Sequence, residues 1–277
     1  MNIFQFFEKA WLIDRDKVFI IEEESGRQLT YGQFRELIKR IAYKLVMVDV
    51  NAGDRVAIIL PRSIDTALLF FAVSFIGAVP IILEDALTDI ELKGQLDNLQ
   101  PKLIISEENK DRFLKINPKR KIYNFYPSDY GDLATIIYSS GSTGESKGIM
   151  ITHRTLILCG ESFPYWFNLN KQDRLYTCLS LGHINALGYS LMGTVNLGAA
   201  LILGSKFDGG KDFWAKMICA KATVVNMLGK MLSKLRQKAN CPEEQKHKVD
   251  FIANGQAIAS RDLHLELEER FNTRIVV

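Results

Sequence analysis

Cysteine is scarce in this chain: four residues in 277, at positions 159, 178, 219 and 241. They form no C-x-x-C pair and have no histidine at ligand spacing, which excludes a disulfide scaffold and a structural zinc site. We therefore read Cys159, Cys178, Cys219 and Cys241 as buried, reduced thiols of a cytoplasmic protein. Charge of one sign is also lacking, since 35 basic and 32 acidic residues leave a net charge of +3. Without a basic block or interleaved basic and aromatic residues, nucleic acid is not an expected partner. The N-terminus, MNIFQFFEKAWLIDRDK, has no basic head leading into an apolar core and already carries Glu8, so it does not read as a signal peptide.

One uncharged run, residues 66–83, reaches the length of a membrane span. Gly77 and Pro80 interrupt it, however. The spacing of Ile64, Ala67, Leu68, Phe71, Ala72 and Phe75 predicts instead a helix that buries one face and then turns into a strand. No membrane span is expected.

What is present is apolar residue in quantity, 47% of the chain, and an alternation of helical and strand signals throughout. That alternation predicts an α/β fold with a largely parallel sheet. Thr30 with Gln33 forms a capping box ahead of Phe34, Leu37, Ile38, Ile41, Ala42 and Leu45 at helical spacing. Residues 55–60 read as a buried strand. Thr88 with Glu91 repeats the capping signature, and the helix it opens ends before Pro101, where LIIS reads as a strand. Further strands are expected at 134–138, 175–179, 200–203, 223–226 and 249–253. We expect a first α/β portion over about residues 1–169 and a second over 170–277, stacked as two layered lobes.

Residues 138–148 read YSSGSTGESKG and directly follow a strand signal. Gly141 and Gly144 allow backbone N–H groups to turn toward an anion, Ser140, Ser142 and Thr143 supply hydroxyls, and Lys147 brings charge. A flexible surface loop has the same composition. The nucleoside-triphosphatase P-loop does not fit, because Ser146 stands at its second glycine and Gly148 at its magnesium-binding hydroxyl. GESKG at 144–148 has the G-x-S-x-G spacing, but an extended run rather than a helix follows it, so it is not expected to form a nucleophile elbow. Neither an H-E-x-x-H helix nor a G-x-G-x-x-G turn occurs, and hydrolase, zinc-enzyme and dehydrogenase readings lose their main support.

The loop closely resembles the phosphate-binding signature of adenylate-forming (AMP-binding) enzymes. It departs only at Ser146, where the family usually has proline, a change expected to loosen the loop. Thr152 and His153 resemble the continuation of that motif. VSFIGAVPIIL, at 73–83, is similar to the family's helix-to-strand passage. CLSLGHINALGY, at 178–189, resembles the segment whose histidine lines the acyl and adenylate pocket, here His183. FIANGQAIAS, at 251–260, resembles the stretch along the adenine, here Gly255, Gln256 and Ala257. A lone histidine among apolar neighbours is also the pattern of a core imidazole, and Gly255 also stands where the strand at 249–253 would end. Phe163, Trp166, Phe167, Leu187 and Leu191 could line an acyl pocket or belong to the ordinary core.

The resemblance implies an acid-thiol ligase related to acyl-CoA synthetases, which activates a carboxylic acid with ATP to an acyl-adenylate and passes the acyl group to CoA. Magnesium is the implied metal, with no protein ligand assigned to it. An acyl carrier protein is the other acceptor the family allows. Ser139, Ser140, Gly141, Ser142, Thr143, Gly144 and Lys147 would hold the nucleotide, and Thr143, Lys147 and His183 would carry the chemistry. The likeness stops at residues 274–277, ahead of the family's expected Y-G-x-T-E motif. The chain thus reads as a front part, weak or inactive in isolation, with an unfinished sheet edge open to self-association. The alternative is a non-catalytic nucleotide- or partner-binding module derived from such an enzyme.

Overall fold

A computed structural model of the chain describes residues 1–84, 86–115, 121, 124, 126–138, 146–208, 210, 212–238, 240–254 and 261–276. The order begins α1 (Ile3–Ile13), β1 (Val18–Glu22), β2 (Gln28–Thr30), α2 (Tyr31–Val46), β3 (Arg55–Ile59), α3 (Ile64–Phe75) and β4 (Val79–Leu83). It continues with α4 (Asp89–Leu99), β5 (Leu103–Ser106), α5 (Asp111–Leu114), β6 (Leu133–Tyr138), β7 (Gly148–Thr152), α6 (His153–Trp166) and β8 (Arg174–Thr177). A π-helix (Asn185–Leu191) runs into α7 (Met192–Leu197). The remainder is β9 (Ala200–Leu203), α8 (Phe213–Ala220), β10 (Val224–Met227), α9 (Gly229–Arg236), β11 (Phe251–Asn254), α10 (Arg261–Phe271) and β12 (Arg274–Val276).

Local signals account for most boundaries. Thr30 and Gln33 form the capping box of α2, and Thr88 and Glu91 that of α4. The α4 helix stops at Gln100, which adopts a left-handed conformation just before Pro101. The uncharged run becomes α3 and β4, separated by Gly77 at φ +76°. No helix among the described residues is long and apolar enough to cross a membrane.

Three sheets result. The largest has seven strands in the order β12-β11-β10-β8-β9-β1-β2, parallel except for the β1–β2 pair. A parallel sheet, β4-β3-β5, and an antiparallel pair, β6-β7, complete the set. The α/β class expected from the alternation is therefore observed. The N-terminal hairpin β1–β2 joins the sheet built mainly from strands after residue 170, so the two ends of the chain share one layer. Thr135 Oγ1 donates to the Pro80 carbonyl at 2.7 Å and ties β6 to β4.

The main core is aromatic where α1, α2 and α3 meet. Phe7 is fully buried, with ring centroids 5.4 to 5.7 Å from those of Phe19, Tyr31, Phe34 and Phe71. Tyr31, equally buried, has its hydroxyl 3.1 Å from the Thr194 carbonyl and 3.0 Å from that of Ala199, linking this cluster to α7. Two expectations are corrected. Cys219 is exposed on α8, although Cys178 is buried and Cys159 and Cys241 are partly so. Trp166 is 65% exposed and so is not core, whereas Phe163, Leu187 and Leu191 are buried.

His153 opens α6 and is 4% exposed. Its Nδ1 accepts the Ile3 N–H in a long bond of 3.4 Å, and burial pushes the imidazole down to about 4. The unfolded chain gains a proton here as pH falls through about 6.5, while the native chain does not until about 4. This stabilisation is complete above the unfolded value and is lost as pH falls between the two. We expect a loss of roughly 2 kcal/mol from this group between pH 7.5 and pH 5. Thermal melts should show a shallower acid decline in His153→Asn, whose amide oxygen can replace Nδ1; an unchanged decline would contradict the assignment. Phe7→Ala should cost about 3–5 kcal/mol in urea unfolding, and a cost below about 1 kcal/mol would show that the aromatic cluster is not the core's centre.

Candidate active site

In open parallel sheets, ligands gather at the carboxyl ends of the strands, where successive loops diverge. Two such edges abut in this chain. Arg62, just beyond β3, donates from Nη1 to the Cys178 carbonyl at 2.6 Å and from Nε to the Gly204 carbonyl at 3.0 Å. Those carbonyls follow β8 and β9. Nearby, Gly182 lies so close to β4 that an added Cβ would sit 2.9 Å from the Ile82 carbonyl oxygen. A side chain there would require the Gly182 loop or the end of β4 to shift.

This approach places Glu84, the residue after β4, against His183, in the loop after β8. His183 Nε2 and Glu84 Oε1 are 2.7 Å apart, with side chains 41% and 42% exposed respectively. The hydrogen bond from His183 holds the Glu84 carboxyl below the usual carboxylate range, against the opposing effect of burial, and the charges of His183 and Lys230 act in the same direction as the bond. Lys230 belongs to the first turn of α9, after β10. His183 is therefore not a core imidazole. It precedes the π-helix, a rare form often found at functional sites, which the buried Asn226 anchors through Nδ2 to the Asn185 carbonyl at 2.8 Å and Ser190 Oγ at 3.1 Å.

The glycine- and serine-rich loop connects β6 to β7, whose pairing runs from Leu133↔Thr152 to Tyr138↔Gly148. Ser139, Ser140, Gly141, Ser142, Thr143 and Gly144 lie outside the described residues, as do Gly255, Gln256 and Ala257. Lys147 is exposed at the root of the loop and makes no hydrogen bond or ion pair among the described residues. Ser146, at the family's proline position, is tied down: its Oγ accepts from Gln95 Nε2 at 3.3 Å. Tyr138, at the other root, donates to Asn98 Oδ1 at 2.8 Å. Both roots are thus fastened to α4.

Sequence reasoning passed over Glu84, Lys230, Arg62 and Asn226. A signal for Glu84 existed, because it is the first charge after the uncharged run and so the first group able to leave the buried strand. At the opposite, N-terminal edge of the large sheet lies a cavity of about 380 Å³ bounded by Trp166, Phe167, Asp173, Asp250, Phe251 and Arg274. Trp166 and Phe167, named above as possible acyl-pocket residues, line it, but none of the residues assigned to the nucleotide or to the chemistry does.

Among the described residues, no three His, Cys, Asp or Glu side chains converge as a metal site. The ligand chemistry offered is a cation at a loop root, together with a carboxylate–imidazole pair at a sheet junction.

Comparison with known proteins gives the family and relatives of the chain. The family model for AMP-binding enzymes matches residues 7–277. The chain is 26% identical over 241 residues to a 2-succinylbenzoate–CoA ligase of Bacillus anthracis, covering 83% of this chain and 49% of that protein. It is 28% identical over 287 residues to the medium/long-chain-fatty-acid–CoA ligase FadD6 of Mycobacterium tuberculosis, covering 95% and 47%. The chain therefore spans about half the length of these relatives. The N-terminal domain of FACL13 from Mycobacterium tuberculosis shares the fold at a TM-score of 0.87 and 20% identity, covering 99% of this chain and 74% of that one. ATP-bound MatB from Rhodopseudomonas palustris does so at 0.84 and 24%, covering 99% and 59%. From residue 7 onward, this chain belongs to the AMP-binding enzyme family.

Proposed function

We propose that the chain is the acid-activating portion of an AMP-forming acid–thiol ligase. In the first step a carboxylate oxygen attacks the α-phosphorus of ATP; the new O–P bond gives an acyl-adenylate as the bond to pyrophosphate breaks. In the second the thiol of CoA, or of an acyl carrier protein, attacks the acyl carbon, forming a thioester and releasing AMP while the thiol proton passes to solvent. We place the triphosphate on residues 138–148, the adenine along Gly255, Gln256 and Ala257, and the acid beside His183. The portions at 1–169 and 170–277 would then supply opposite walls, with Glu84 from the first meeting His183 from the second.

The observation that carries this reading is the family match running through both the loop and the His183 segment, on a frame that leaves Lys147 exposed where the loop begins its return strand. No side chain has to act as nucleophile. The departing pyrophosphate concentrates negative charge, and backbone N–H groups, the Thr143 hydroxyl and the Lys147 ammonium stabilise it by position and charge. Magnesium, the metal the family resemblance implies, would when bound add positive charge against the departing pyrophosphate; no residue of this chain is assigned to hold it.

Lys147→Ala in the complete gene product should lower acid-dependent ATP–pyrophosphate exchange on the order of a hundredfold, with Thr143→Ala lower by a smaller factor. Near-normal exchange in Lys147→Ala would remove the loop from the chemistry. ATP binding by the unaltered protein without exchange against any acid in a broad panel would instead support a nucleotide-binding module.

A further inference from the structure

Strand β4 is buried through Leu83, and the chain emerges at a carboxylate. A half-buried carboxylate is costly unless paired, and Glu84 takes its partner from the other sheet, the Nε2–H of His183 at 2.7 Å. The backbone on the histidine side is already fixed. His183 N–H donates to the Ser180 carbonyl at 3.1 Å, its own carbonyl accepts from the Leu187 N–H at 2.9 Å, and Gly182 is pressed against Ile82. What remains free is side-chain rotation, and the hydrogen bond to Glu84 removes it. Nδ1 has no hydrogen-bond partner among the described residues.

The pair contributes little as a brace. Ion pairs this exposed add about 0–1 kcal/mol, and Arg62 with the Gly182 contact already joins the two sheets. Orientation of the ring is the larger effect. We propose that Glu84 is a positioning residue: it fixes the His183 ring with Nε2–H bound and Nδ1 and the ring face turned to the entering acid. A carboxylate at the end of a first-sheet strand thereby sets the geometry of a pocket residue carried by the second sheet. The kinetic part of this proposal rests on the acid-activating function above, whereas the ring geometry does not.

Two measurements test it. Long-range ¹⁵N–¹H correlation on histidine-labelled chain reads the protonation of each ring nitrogen. His183 should show Nε2–H in the unaltered chain and in Glu84→Gln, whose amide oxygen still accepts, and a mixture of tautomers in Glu84→Ala. In the complete gene product, Glu84→Ala should lower kcat for acid-dependent exchange on the order of tenfold with KM for ATP unchanged. Glu84→Gln should restore most of it. The double variant Glu84→Ala/His183→Ala should be no worse than His183→Ala alone. An unaltered ring signature in Glu84→Ala, multiplicative losses in the double variant, or Glu84→Gln falling as far as Glu84→Ala would each overturn the proposal. If the unaltered protein exchanges with no acid, the proposed function fails, and the ring signatures alone decide the role of Glu84.

Discussion

The close approach of Gly182 to the Ile82 carbonyl is the constraint on which the candidate site depends. A side chain at position 182 would meet the Ile82 carbonyl at 2.9 Å from its Cβ, so the loop that carries His183 or the end of β4 that leads to Glu84 would have to shift. With hydrogen at position 182, the carboxyl ends of β3, β4, β8 and β9 lie at one junction. Arg62 uses Nε, Nη1 and Nη2 on two carbonyls that follow strands of the opposite sheet, so it gives the junction both hydrogen bonds and a fixed positive charge. Lys230 adds a second cation within electrostatic reach of Glu84. An anionic acid or nucleotide brought to this edge therefore meets a carboxylate that is already occupied rather than a bare negative charge.

Much of the frame was legible in the sequence because its signals are local. Thr30 with Gln33 and Thr88 with Glu91 cap the helices they were expected to cap, and the interruption at Gly77 divides a run of membrane-like length into α3 and β4. Each of these depends on neighbours within a few residues. The junction was not legible in the same way. Arg62 acts on Cys178 and Gly204, and Glu84 on His183, over separations in sequence that no periodicity encodes. The hairpin β1–β2 was not foreseen at all, and its pairing with β9 shows that it extends the later sheet. Trp166 was left open between pocket wall and core because an aromatic residue at a helix end has the same pattern whether it packs inward or projects outward; here it is exposed and borders a cavity.

For the site itself, the loop motif and His183 came from resemblance, and the structure adds what resemblance lacked: the partners. At the roots of the loop, the Ser146 hydroxyl accepts a bond from the buried Gln95, and Tyr138 is held to the same helix. Proline limits backbone rotation, whereas serine at this position is held by a contact to α4. Membership in the AMP-binding family is carried by residues 7–277, and these contacts describe how this chain holds the segments around the loop.

The most direct test of the central claim is to titrate ATP into isotope-labelled chain and map the backbone amide shifts. The account predicts that the largest changes fall on Tyr138 and Ser146 through Gly148, with smaller ones reaching His183. Changes concentrated instead around Trp166 and Arg274, at the opposite edge of the large sheet, or none at saturating nucleotide, would contradict it.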